Sequence, residues 1–203
     1  MVWLLFLPFL IALLQLKRYT RPLRYVFGYL LLSVLTQVIS YILWRRKINN
    51  LPLLHIYTVL EYLVLLGFYY QLLKDFLPRI LFPLLWILFP LFAVTDSLLI
   101  ENIYGFNTYG RSAEALVFIF LAVSCFVKSA SEGDRARLAF RGISQINFGF
   151  FLYFAGSLVL FSFRDFITHL AMPLRLNVWT LHSLLLVILY IFITTGQWKF
   201  SKK

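Results

Sequence analysis

Residues 51–70 read LPLLHIYTVLEYLVLLGFYY. A helix of twenty such residues, rising about 1.5 Å each, is about as long as a bilayer's hydrocarbon core is thick. The run therefore reads as a membrane span. It nevertheless contains His55 and Glu61. An ionisable group inside a span faces the bundle interior or a wet cavity and marks a functional site by default.

The rest of the chain has the same character. Its 203 residues are 62% hydrophobic, with a mean hydropathy of +0.84. A water-soluble core of that size cannot hide so much apolar surface, so the solvent is lipid. Continuous apolar runs, rather than alternating ten-residue segments, exclude a barrel. The expected fold is an all-α bundle forming one domain over 1–203. Its seven spans lie near 1–16, 25–44, 54–73, 80–100, 112–127, 145–163 and 176–196. Pro83 and Pro90 should kink the fourth. The single cysteine, Cys125, excludes an internal disulfide and a paired-cysteine site.

Charge sets the orientation. The connections after spans one, three and five, with the tail, carry 13 Lys and Arg; the opposite side carries 6. The positive-inside rule places the N-terminus outside and the C-terminus in the cytoplasm. The bilayer is the expected first partner. Basic residues confined to such connections do not point to nucleic acid. The longest connection, 128–142, includes Arg135, Arg137 and Arg141, which are expected to contact lipid headgroups or a cytoplasmic partner. Trp44, Trp179 and Trp198 lie near span ends, where interfacial anchors belong.

With this orientation, Glu61 lies roughly 10 Å and His182 roughly 9 Å below the outer surface, at the helical rise. Asp96, Glu114 and His55 share that outer half, and Arg111 flanks it. Helical spacing puts Tyr57 with Glu61, and Trp179 with His182 and Ser183. These residues predict an outward-opening pocket lined by spans three, four, five and seven. Glu61 would be its floor, His182 the partner of Glu61, and Arg111 the rim. The same residues could instead be interhelical glue.

Known chemistry finds little support. His55, Glu61, Asp96, Glu114 and His182 could ligate a metal, but no helix carries an HxxxH or HExxH pair. The FAGSLVL stretch around Ser157 does not match a GxSxG signature. No nucleotide loop is present. No catalytic residue, metal or cofactor is therefore assigned. A transporter needs a polar path to the inner side, and spans three and seven are almost wholly apolar there.

Four stretches resemble a family of small, uncharacterised seven-span bacterial membrane proteins: HIYTVLEYLVLLGFYY (55–70), FNTYGRSAEALVFI (106–119), INFGFFLYFAGSLVLF (146–161) and VWTLHSLLLVILYIFITTGQWK (178–199). The resemblance implies a stand-alone membrane module of the bacterial cytoplasmic (inner) membrane, associated with sensor histidine kinases. It draws attention to His55, Tyr57, Glu61, Arg111, Glu114, Trp179, His182 and Ser183. The expected function is a non-enzymatic sensory or regulatory module that binds a small ligand and signals to a separate protein. The alternatives are a small-solute or ion transporter and a metal-dependent intramembrane hydrolase.

Overall fold

The apolar runs are helices in the computed structural model, which describes residues 2–132, 141–163, 167, 169 and 171–201. They are α1 (Phe6–Gln15), α2 (Arg21–Arg45), α3 (Leu51–Leu73), α4 (Leu81–Thr95), α5 (Thr108–Ser131), α6 (Arg141–Ser162) and α7 (Met172–Ser201). No strand occurs among the described residues. Among the described residues, six helices are long and apolar enough to cross a membrane, counting α4 with the π-turn Asp96–Ile100 that continues it. The chain is a multi-pass helical membrane protein.

The first expected span differs from the others. Its α-helical part is only ten residues, flanked by 3₁₀ turns at Val2–Leu5 and Leu16–Arg18. Ten residues of α-helix reach about 15 Å, half a hydrocarbon core. The 3₁₀ turns rise about 2 Å per residue and extend the segment to about 29 Å. Helices α2, α3, α5, α6 and α7 run past their apolar windows, whereas α4 with its π-turn stays within 80–100. An α-helix satisfies its own backbone bonds, so it need not stop where the side chains turn polar. Pro83 lies in the first turn of α4, where no amide partner is missing, while Pro90 lies inside the helix.

Six helices close a ring in the order α1, α2, α3, α5, α6, α7, and α4 packs outside against α3 and α5. The connections alternate between two ends. The polar end carries the α2–α3, α4–α5 and α6–α7 connections; the basic end carries the α1–α2, α3–α4 and α5–α6 connections. In lipid, helices gain nothing by hiding apolar surface from each other, so close van der Waals packing must hold them. The α6–α7 seam shows how. Gly142, Gly149 and Gly156 recur every seven residues, nearly two helical turns, and so lie on one face of α6. Phe192 packs against Gly149, Leu185 packs against Gly156, and the Gly142 carbonyl approaches Gly196 of α7.

Towards the basic end, polar bonds cross-link the core. The Tyr69 hydroxyl donates to Asn147 Oδ1 at 3.0 Å, and Asn147 Nδ2 donates to the Ala122 carbonyl at 3.1 Å. One amide thus joins α3, α5 and α6 in a fully buried position. Interhelical hydrogen bonds in membranes contribute about 0.6 kcal/mol each and rarely more than about 1.7. Asn147→Leu should therefore cost about 1–2 kcal/mol, and Tyr69→Phe about half as much, in reversible unfolding in mixed micelles. Unchanged stability in both variants would show that the cross-link contributes nothing.

Candidate functional site

Helices α3 and α5 run parallel, and side chains tie them along their length. Asn107 Nδ2 donates to Thr58 Oγ1 at 3.1 Å near the polar end. Lys128 Nζ donates to the Leu72 carbonyl at 2.6 Å near the basic end. Between them, Glu61 and Arg111 stand level. The start of α5 makes this alignment possible. Glu101, from the preceding segment, accepts the backbone N–H of Thr108 at 2.7 Å and of Tyr109 at 3.3 Å. Those amides have no partner within the helix, and a carboxylate there also complements the positive helix end. Helix α5 can therefore begin at Thr108, before its apolar run, with Arg111 in its first turn.

Arg111 holds two carboxylates. Its Nη1 donates to Glu61 Oε2 at 2.5 Å and to Glu114 Oε2 at 3.1 Å. The side chains of Arg111, Glu61 and Glu114 are 15%, 1% and 0% exposed, so water screens none of them well. Such charges persist at depth only when paired and hydrogen-bonded. Tyr57 adds a further bond. Its hydroxyl donates to Glu61 Oε1 at 3.1 Å and lies 3.1 Å from the Ser33 hydroxyl of α2. The Arg111 guanidinium carbon lies 5.3 Å from the centre of the Tyr57 ring, within cation–π range.

A cavity of about 300 Å³ opens on this cluster. Arg111 and Tyr57 face it, whereas Glu61 and Glu114 sit behind Arg111. Helix α2 contributes Ser33, Thr36, Gln37 and Ser40; α6 contributes Tyr153 and Phe161; α7 contributes Trp179, His182 and Tyr190. Phe106 and Asn107 come from the segment before α5, and Leu5 comes from the first turn of the chain. The Phe106 and Trp179 rings stack at 5.8 Å and 13°, joining that segment to α7. His182 lies among the rings of Tyr153, Phe161 and Trp179, with centroids 5.7–6.4 Å away.

Below the cluster the bundle is filled by buried aromatic rings. Tyr62 stacks on Phe89 at 3.7 Å and meets Phe118 at 5.3 Å. Phe118 meets Phe154 at 4.8 Å, and Phe68 and Phe150 continue the packing.

The geometry differs from the sequence expectation in several respects. Arg111, not His182, is the partner of Glu61, and it is the centre of the cluster rather than its rim. Arg111 rather than Glu61 presents the charge to the cavity. The cavity is walled by α2 and α6, which were not expected, and not by α4. Trp179 lines the cavity as well as lying near a span end. Ser183 turns back to the Trp179 carbonyl of its own helix at 3.1 Å.

His55 and Asp96 belong to a separate buried cluster at the polar end. His55 Nδ1 lies 2.8 Å from the Ser97 hydroxyl, and Nε2 lies 3.2 Å from the Gly105 carbonyl. These bonds pin the α4–α5 segment to α3. Asp96 opens the π-turn beside them, fully buried. Among the described residues, no three His, Cys, Asp or Glu side chains come together as a metal-holding group. Arg141 is exposed at the start of α6. Arg135 and Arg137 lie outside the described residues.

Tyr153, Tyr190, Ser33 and Thr36 were not singled out from the sequence. A tyrosine deep in a phenylalanine-rich run was the available signal, since its hydroxyl needs a partner that lipid does not supply. The chain matches no family model, no curated protein and no solved structure, so the geometry carries the functional argument.

Proposed function

We propose that this chain is a sensory or regulatory membrane module that takes a small polar ligand into the Arg111 cavity and signals to a separate protein. One observation carries the reading. A single cavity touches five of the ring helices and the first turn of the chain, and it converges on a buried guanidinium held by two carboxylates. Its volume sits at the lower end of small-molecule sites. A ligand there contacts most of the bundle at once, so it can bias how the helices pack, provided it binds two packings unequally.

The aromatic filling below the cluster favours binding from one end over passage through the bundle. The 13-to-6 charge asymmetry favours a polar end facing outward and a basic end facing the cytoplasm of the bacterial inner membrane. The partner would then meet the α5–α6 connection, Arg141 and the tail. A sensor histidine kinase is the partner class that the sequence resemblance suggests.

The test begins with thermal stability of the protein in nanodiscs, screened against small carboxylates, amines, amino acids and sugars. A ligand at about 100 times its Kd should stabilise by about 2.7 kcal/mol. Tyr190→Phe and His182→Leu should each weaken its binding about tenfold, or about 1.4 kcal/mol. A screen without a stabilising solute, or one whose solutes ignore both substitutions, removes the cavity as a ligand site. Accumulation of the same solute in proteoliposomes, abolished by Glu61→Gln, would replace signalling with transport. Site-directed cross-linking from Arg141 to a co-expressed kinase, strengthened by the solute, is the outcome expected of a sensor.

A further inference from the structure

A second cavity, of about 420 Å³, lies at the basic end between α2 and α3 and is lined by Arg21, Arg24, Tyr25 and Gln71. Its shape follows from how closely the two helices approach. Gly67 of α3 receives the Tyr25 ring, which occupies the place where a Cβ would stand. That contact seats the phenol between the helices. Gly28, one turn further along α2, faces Val64. Both arginines are exposed, and among the described residues neither guanidinium has a carboxylate partner.

Two guanidiniums without a carboxylate partner thus line one cleft. Arginine's planar fork matches phosphate oxygens in bidentate geometry. A phenol and a carboxamide beside it supply neutral donors. Two further cations, Lys17 and Arg18, stand exposed on the preceding 3₁₀ turn. Along the same two helices, away from the cleft, Leu31 and Leu35 of α2 and Ile56 and Leu60 of α3 are exposed. A phosphate group at the arginines would therefore continue into apolar surface.

We infer that this cleft holds the phosphate headgroup of an anionic phospholipid, with the acyl chains lying along α2 and α3. The site is independent of the Arg111 cavity, which lies at the other end of the bundle. The chemistry is that of any phosphate. The apolar continuation and the place at the membrane boundary assign it to a lipid rather than to a soluble ion.

The test measures displacement of a fluorescent phosphatidylglycerol from the full chain in phosphatidylcholine nanodiscs. Unlabelled phosphatidylglycerol should compete, and added phosphatidylcholine should not. Arg21→Gln with Arg24→Gln should weaken phosphatidylglycerol binding about tenfold or more, since each basic side chain near a membrane surface contributes appreciably. Lys17→Gln with Arg18→Gln removes the same charge from outside the cleft and should weaken binding several-fold less than the cleft pair does. Equal losses in the two double variants would reduce the effect to diffuse surface charge and overturn the site. Competition by millimolar inorganic phosphate as effective as that by the lipid would overturn the lipid assignment. Both pairs are exposed, so far-UV circular dichroism should show unchanged helix content in each variant.

Discussion

Replacing Arg111 by methionine should destabilise the protein by about 3–5 kcal/mol, the range for breaking a buried ion pair by removing one partner. The reason is what stays behind. Glu61 and Glu114 are 1% and 0% exposed and share a single cation. Without it, two desolvated carboxyls face each other with only the Tyr57 hydroxyl bonded to one of them. The informative comparison is the triple variant Glu61→Met, Arg111→Met, Glu114→Met. Buried ionic clusters contribute little net stability relative to well-packed apolar groups of similar volume. The triple variant should therefore recover most of the loss, although no charge has been restored. Arg111→Lys should fall between wild type and Arg111→Met, because an ammonium keeps the charge and loses the planar fork. Unfolding in mixed micelles reads all three. A triple variant as unstable as Arg111→Met would refute the electrostatic account and leave side-chain packing as the role of Arg111. A triple variant that folds but no longer binds the ligand of wild type would separate the role of Arg111 in binding from its role in the fold.

The second large effect is expected at Gly196. A Cβ there would stand 2.7 Å from the Gly142 carbonyl oxygen and 2.5 Å from Ile146 Cγ1. The carbonyl belongs to the backbone of α6 and cannot rotate aside, so even alanine must push α6 and α7 apart. Overpacking typically costs about 1–3 kcal/mol, and Gly196→Leu should reach or exceed the top of that range. Gly28→Ala is the matched control. Its Cβ would meet Val64 Cγ1 at 3.5 Å, an ordinary contact, so Gly28→Ala should leave stability unchanged or raise it by up to about 1 kcal/mol. Because α7 carries Trp179, His182 and Tyr190, displacing it should also widen the Arg111 cavity and weaken any ligand held there. Equal stabilities for the Gly196 and Gly28 variants would mean that α7 is not seated by the glycine seam.

The candidate site shows where sequence reading reaches its limit. Glu61 and His182 stood out because a polar group inside an apolar run is visible as a contrast. Arg111 did not stand out as a partner. By hydropathy, its helix begins one residue later, and Arg111 reads as a loop charge at the rim. Only the cap from Glu101, which comes from seven residues upstream of Thr108 in an irregular segment, extends α5 back to Thr108. That cap is a tertiary contact. Depth counting also could not separate His55 and Asp96 from the cavity. Position along the membrane normal says nothing about the angle around the bundle, and these two residues face the α4–α5 segment instead.

The sequence by itself determined the fold class. Apolar runs of span length leave one physical option for a backbone in lipid, because each helix satisfies its own hydrogen bonds. It also determined the even alternation of basic and polar ends, since unpaired charge cannot remain in the hydrocarbon. The tertiary structure decided which helices meet. Seven apolar helices of similar composition have many possible arrangements, and lipid gives them no hydrophobic reason to prefer one. The choice rests on contacts a few ångströms wide: the glycine seam of α6 against α7, the Asn147 cross-link and the pairing of Arg111 with Glu61 and Glu114. Those contacts bring residues from α2, α3, α5, α6 and α7 to one cavity.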